Sequence, residues 1–149
     1  MTLKDKVYNH YRQVLQEKIN MLQKVLADLK ESGANETKST AGDKHETALA
    51  MLQIEQANTR TQLDGAFLQK KALEKINPAI VATWVVPGSL IKTSRGYLFL
   101  SLSMGKATLD GITVTTVSPQ SPLGIKLMGL KKDDTVEVNN NTFFIESIE

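Results

Sequence analysis

Leu73-Glu74-Lys75-Ile76-Asn77-Pro78 divides this chain into two kinds of sequence. No proline precedes Pro78, and the apolar residues upstream recur every three or four positions. Downstream they alternate, and many are β-branched. A proline disfavours helix in the residue before it, so Asn77 is a natural stop. A period near 3.6 predicts helix before that stop, and a period of two predicts strands after it. The expected fold class is α+β, with residues 1–76 as a helical arm and residues 77–149 as a small sheet domain.

Upstream, Tyr8, Tyr11, Leu15, Leu22, Val25 and Leu29 form one apolar stripe, widened by Ile19 and Leu26. The pattern predicts a helix from about Leu3 to Leu29, or about 40 Å of rise. Glu31 to Gly42 is rich in small and polar residues and reads as a break. A second pattern begins near Asp43, with a seam of Leu49, Leu52, Leu63, Ala66 and Leu73 and polar Gln56 and Thr59 in its middle. Two helices joined by a modest loop run antiparallel. The arm is thus expected to be a coiled-coil-like helical hairpin with its tip around residues 31–46, and its polar seam argues against a long homomeric coiled coil.

Downstream, Val81–Val86, Gly96–Leu102 and Ile112–Val117 read as strands. Thr135–Val138 and Thr142–Ile148 flank Asn139-Asn140-Asn141, a tight hairpin because asparagine tolerates positive φ. One short helix is expected between them, with Ser121 as N-cap, Pro122 at the first helical position and Gly129 at the C-terminal cap. The sheet is expected to be mostly antiparallel, with Trp84 and Phe99 in its core. Lys131-Lys132-Asp133-Asp134 reads as a turn.

The chain has 149 residues, 18 basic and 16 acidic, and no cysteine. The balanced charge argues against a dedicated duplex-DNA binder. Disulfides, thiolate metal sites and cysteine nucleophiles are excluded. There is no signal-peptide pattern and no apolar run of membrane-spanning length, so a cytoplasmic location is expected. Lys4, Lys6, Arg12, Lys18 and Lys24 alternate with acids and read as a solvated helix face. His10 and His45 have no partner histidine at ligand spacing and read as surface residues.

Ala41-Gly42-Asp43-Lys44-His45-Glu46 places two acids three apart where the two helices meet. Asp43 and Glu46 approximate a capping box, which satisfies free N–H groups at a helix start. They are also a pair of hard oxygen donors, insufficient alone for Mg²⁺ but useful where a partner completes the shell. Ser118-Pro119-Gln120-Ser121-Pro122-Leu123-Gly124 carries caps and shape, with no base beside its serines.

The Gly-Asp-x-x-Glu tip, the Ser-Pro-x-Ser-Pro-Leu-Gly segment and Leu127-Met128-Gly129-Leu130-Lys131-Lys132-Asp133-Asp134 together resemble the Gre-type bacterial transcript-cleavage factors. The resemblance runs in order along nearly the whole chain and is most specific from Val117 to Val138. It implies an FKBP-like C-terminal domain that docks on bacterial RNA polymerase, with Ser121, Pro122, Leu123 and Gly124 in the docking motif. It also implies a hairpin that enters the polymerase secondary channel. Asp43 and Glu46 would then act in trans, sharing a Mg²⁺ with the polymerase as it cleaves the 3′ end of a backtracked RNA. On this resemblance the protein is a monomeric accessory factor, not an enzyme, and has no cofactor of its own.

The family often continues its tip with Asn-Ala-Glu-Tyr, where this chain has Thr47-Ala48-Leu49-Ala50. The missing acid and aromatic motivate an alternative, a channel-binding regulator that does not promote cleavage. A prolyl isomerase and a coiled-coil adaptor are the alternatives from other classes.

Overall fold

The computed structural model describes the backbone of residues 1–36 and 43–149 and the side chains of residues 1–35 and 46–149. Two long helices, α1 (Leu3–Glu36) and α2 (Asp43–Glu74), are followed by a six-stranded mixed sheet with one short helix. The fold is α+β, as the change of period at Asn77-Pro78 predicts. The chain forms two compact units, one of Gln13–Lys70 and the other of Met1–Arg12 with Lys71–Glu149.

The helical unit is an antiparallel pair. Ile19 and Leu22 of α1 pack with Leu63 and Ala66 of α2, and Gln56 reaches the Leu29 carbonyl. Contacts therefore climb α1 as they descend α2. The α2 seam falls where the sequence places it, with Thr59, Leu63, Ala66 and Leu73 buried and Leu49, Leu52 and Gln56 half-buried. The α1 seam runs instead through Leu15, Ile19, Leu22, Leu26 and Leu29, and Val25 is 40% exposed. Ile19 and Leu26 are the seam itself, because a helix facing one partner buries a narrow stripe and Val25 lies to one side of it.

α1 also continues past Leu29 to Glu36, through a segment that the sequence reads as a break. Its single glycine costs only about 1 kcal/mol in a helix. Gly33 is half-buried, and a Cβ there would lie 3.5 Å from the Gln56 amide, so tertiary packing against α2 outweighs the weak propensity.

In the other unit the strands are β1 (Leu90–Thr93), β2 (Gly96–Leu100), β3 (Lys106–Leu109), β4 (Ile112–Val117), β5 (Thr135–Val138) and β6 (Asn141–Ile148), with α3 (Pro122–Leu127) between β4 and β5. Their order is β3-β4-β2-β1-β6-β5. β2 and β4 are parallel, and the other neighbours are antiparallel. One face packs Ile91, Leu98, Leu100, Val117, Val136 and Ile145 against Val85 and Leu127 of α3. On the other face Tyr11, from the first turns of α1, stacks on Phe99 with ring centroids 6.4 Å apart and donates its hydroxyl to the Gly105 carbonyl at 3.2 Å. Tyr8 and Tyr11 are buried, as the apolar stripe requires, and so is Val7, which lies outside the stripe.

Val81–Val86 is not a strand. It makes a single bridge, Trp84 to Lys131, and Trp84 is 48% exposed while Val81 is 66% exposed. The first strand is instead the four residues from Leu90, between β2 and β6. Pro87 and Gly88 cut the earlier run short, and its backbone bonds to the 129–131 loop, through Val85 N–H to Leu130 O and Gly129 N–H to Val85 O, and to Ser89 in the following turn, through Val86 N–H to Ser89 Oγ and Ser89 N–H to Val86 O. β-propensity without a partner strand does not make a strand. Phe99 is fully buried, in agreement with the sequence reading, whereas Trp84 is not in the core.

Candidate functional site

α2 begins at Asp43, so Asp43 and Glu46 occupy its first turn, three residues apart and on one side of the helix. Glu46 is exposed to solvent. A negative charge in the first turn of a helix is favoured by the positive end of the helix dipole. The side chains of Asp43, Lys44 and His45, and all of Thr37–Gly42 with Lys38, lie outside the described residues. Among the described residues no cluster of three or more His, Asp or Glu side chains is arranged to hold a metal. Glu46 offers hard, solvent-facing oxygen, which suits Mg²⁺ as part of a shell that another molecule completes.

The Ser118–Gly124 segment is locally built. Ser121 is the N-cap of α3, with φ −70° and ψ 158°, and its Oγ accepts the Gly124 N–H at 3.0 Å. The same hydroxyl donates to the Ser118 carbonyl at 2.7 Å. Pro122 holds the first helical position, and Gly129 follows the helix with φ 81°. Gly124 is buried directly beneath Ser118, leaving Ser121, Pro122 and Leu123 toward solvent or half-covered.

These three residues share a shallow cleft of about 280 Å³ with the β5–β6 hairpin, where Val138, Asn141 and Phe143 form the other wall. The Arg95 guanidinium lies 5.7 Å from the Phe143 ring centroid, and its Nε donates to the Thr142 carbonyl at 2.8 Å. The sequence marks Asn139-Asn140-Asn141 as a turn but does not signal that this hairpin faces the Ser-Pro-Leu segment. That juxtaposition depends on β5 lying next to α3, which no local pattern encodes.

The sequence reading misses one feature and misplaces another. Thr2 caps α1 in a reciprocal box: its Oγ1 accepts the Asp5 N–H at 3.1 Å, and Asp5 Oδ2 accepts from both Thr2 N–H and Thr2 Oγ1. The backbone bond from Thr2, then its hydroxyl, hold the Asp5 carboxyl below its ordinary pKa. The Thr-x-x-Asp spacing was the available signal. Lys4, by contrast, is not on a solvated face. It is 3% exposed and donates to the Ile80 carbonyl at 2.7 Å. Burial pushes its pKa down, against the opposing pull of Glu149 and Asp5. Lys6 pairs with Asp110 in the β3–β4 turn.

No helix among the described residues is long and apolar enough to cross a membrane. No family model matches the chain. No curated protein matches it. Among solved structures, the chain is similar to the transcription factor Gfh1, with 14% sequence identity over 92% of this chain and 92% of that one and a TM-score of 0.37.

Proposed function

We propose that this protein is an accessory factor of bacterial RNA polymerase that enters the secondary channel and promotes Mg²⁺-dependent cleavage of backtracked RNA by the polymerase. The observation that carries the reading is the start of α2 at Asp43, which puts the two acids of the Gly-Asp-x-x-Glu motif in the first turn of one arm of a helical hairpin, with Glu46 exposed. Support also comes from the Ser-Pro-x-Ser-Pro-Leu-Gly resemblance, whose Ser121, Pro122 and Leu123 line an open cleft.

In this reading the protein supplies position and charge. Asp43 and Glu46 offer carboxylate oxygens to a Mg²⁺ shared with the polymerase, and such an ion polarises phosphoryl oxygens and acidifies a water. The chain has no chemistry of its own. The C-terminal unit, FKBP-like by resemblance, docks on the polymerase through the Ser121–Gly124 segment, where Ser121 and Gly124 maintain the shape and Pro122 and Leu123 present it.

The test is a stalled elongation complex with purified polymerase. Wild-type factor shortens the RNA, and Asp43→Asn or Glu46→Gln reduces the cleavage rate by at least about tenfold, or about 1.4 kcal/mol of lost transition-state stabilisation. Cleavage by both variants at the wild-type rate sinks the role of the acids.

One observation favours a second reading, regulation without cleavage. Leu49 stands where the family often has a further acid, and it is half-buried in the helical seam. Under that reading the factor binds the paused complex and changes pausing or initiation while the RNA keeps its length.

A further inference from the structure

The helical unit is packed unevenly along its length. At the base of the pair, Ile19, Leu22, Leu63 and Ala66 are each no more than 9% exposed. Toward the tip end, nearest residues 36 and 43, no apolar side chain of either helix is buried among the described residues between Leu22 and Leu63. Leu26 packs on the base cluster but is half-covered, and beyond it Leu29, Leu49 and Leu52 are half-covered too. The seam here is mixed, its leucines interrupted by polar Gln56 and Thr59. Thr59 is buried but turns its hydroxyl back to its own helix, onto the Glu55 carbonyl at 2.8 Å. Gln56 makes a long side-chain bond to the Leu29 carbonyl at 3.3 Å. Gly33 contributes no side chain opposite Gln56, and an open cleft of about 290 Å³ lies among Gly33, Leu49, Leu52 and Gln56.

Cooperative opening follows the density of buried apolar contacts, and segments that lack them open on their own. A coiled pair whose seam carries polar residues gives up stability there. We propose that the helical pair is two units in series: a fixed base around Ile19, Leu22, Leu26, Leu63 and Ala66, and a tip end of about residues 27–36 and 46–58 that separates independently, held by the Gln56–Leu29 clasp. The start of α2, with its two acids, can then shift relative to α1 while the base stays closed. A tip that must fit a site built by another molecule gains from this freedom, because adjustment there does not unfold the pair. The inference goes beyond the polymerase reading and does not require it.

The clasp makes a stiffening substitution available. Leucine at position 56 has a volume close to that of glutamine, faces Gly33 and the cleft, and adds an apolar side chain to the stretch, leaving Thr59 as the polar residue beside it. The Leu29 carbonyl keeps its helical partner, so nothing is orphaned.

Amide hydrogen exchange of the full-length free protein, resolved by peptide, tests this. In the wild type, amides of 27–36 and 46–58 exchange at least about tenfold faster than those of 13–26 and 60–70. Gln56→Leu slows the tip-end amides by about tenfold, as expected for partial burial of one leucine side chain, and changes the base amides by less than about twofold. Leu52→Ala, a second variant, accelerates the tip end alone. Equal protection of the two segments in the wild type overturns the proposal, since the pair is then one cooperative unit. So does a Gln56→Leu variant that slows both segments together or leaves the tip end unchanged.

Discussion

A Cβ on Gly124 would sit 1.9 Å from the carbonyl oxygen of Ser118. The first turn of α3 and the turn before it are therefore in direct backbone contact, and only glycine leaves room. The neighbouring bonds, Ser121 Oγ to the Ser118 carbonyl and Gly124 N–H to Ser121 Oγ, hold the two backbones at that separation.

Gly124→Ala forces α3 off the sheet or opens the Ser118 turn. The clash is with backbone, which cannot rotate away, so the loss is at least about 2 kcal/mol. Chemical denaturation of the full-length protein measures it. Ser121→Ala, which removes the cap but no space, costs about 1 kcal/mol.

Tyr11 joins the first turns of α1 to the sheet through a ring and a hydroxyl. Tyr11→Phe keeps the stack and loses one bond, for about 1 kcal/mol. Phe99→Ala empties a fully buried site and costs about 3–5 kcal/mol. A larger loss for Tyr11→Phe than for Phe99→Ala would contradict the packing described.

Lys4 makes stability depend on alkaline pH. Its folded-state pKa lies below 10.5 because burial disfavours the ammonium form. The unfolded chain therefore binds more protons across the window between the lowered value and 10.5. The burial penalty is fully present below the folded pKa and disappears as pH rises through that window. Melting measured from pH 8 upward, with Lys4→Met as reference, should show wild type gaining on the variant as the solution becomes more alkaline. A constant difference between the two is the contrary result.

Asn139 and Asn140 lie at φ 53° and 65°, and Val138 pairs with Asn141 across them. Asn140→Gly should be tolerated. Asn140→Val places a β-branched residue in the left-handed region and costs about 1–2 kcal/mol. Denaturation midpoints of the two variants separate these outcomes.

Glu46→Gln should alter folding stability by less than about 1 kcal/mol, the size of a charge effect at an exposed helix start. Thermal melting checks this. A loss of the proposed cleavage stimulation in that variant then reports on the Glu46 carboxylate and not on folding.

Much of the architecture was legible in the residues because it is encoded locally. The α2 seam, the strand from Ile112 to Val117, the Asn139–Asn140 turn and the Ser121-Pro122 helix start each depend on neighbours within a few positions. The errors share one cause. Val81–Val86 has strand composition but lacks a partner, and Leu90–Thr93 is short but lies between two strands. Glu31–Glu36 has break composition but stays helical while α2 packs against Gly33. Lys4 carries a surface residue's charge but lies under the Ile80 carbonyl.

From sequence alone came the end of the long helices before Asn77-Pro78, the α+β class, and the pair of acids at the start of the second helix. These rest on φ restriction, periodicity and capping, all of which act within one or two helical turns. Which strand pairs with which, that β2 and β4 run parallel, that Lys4 is buried and that the β5–β6 hairpin faces Ser121-Pro122-Leu123 were decided only in three dimensions. Strand pairing and burial depend on residues far apart in the chain, and the free energy that selects them comes from surfaces that exist only after the chain has closed on itself.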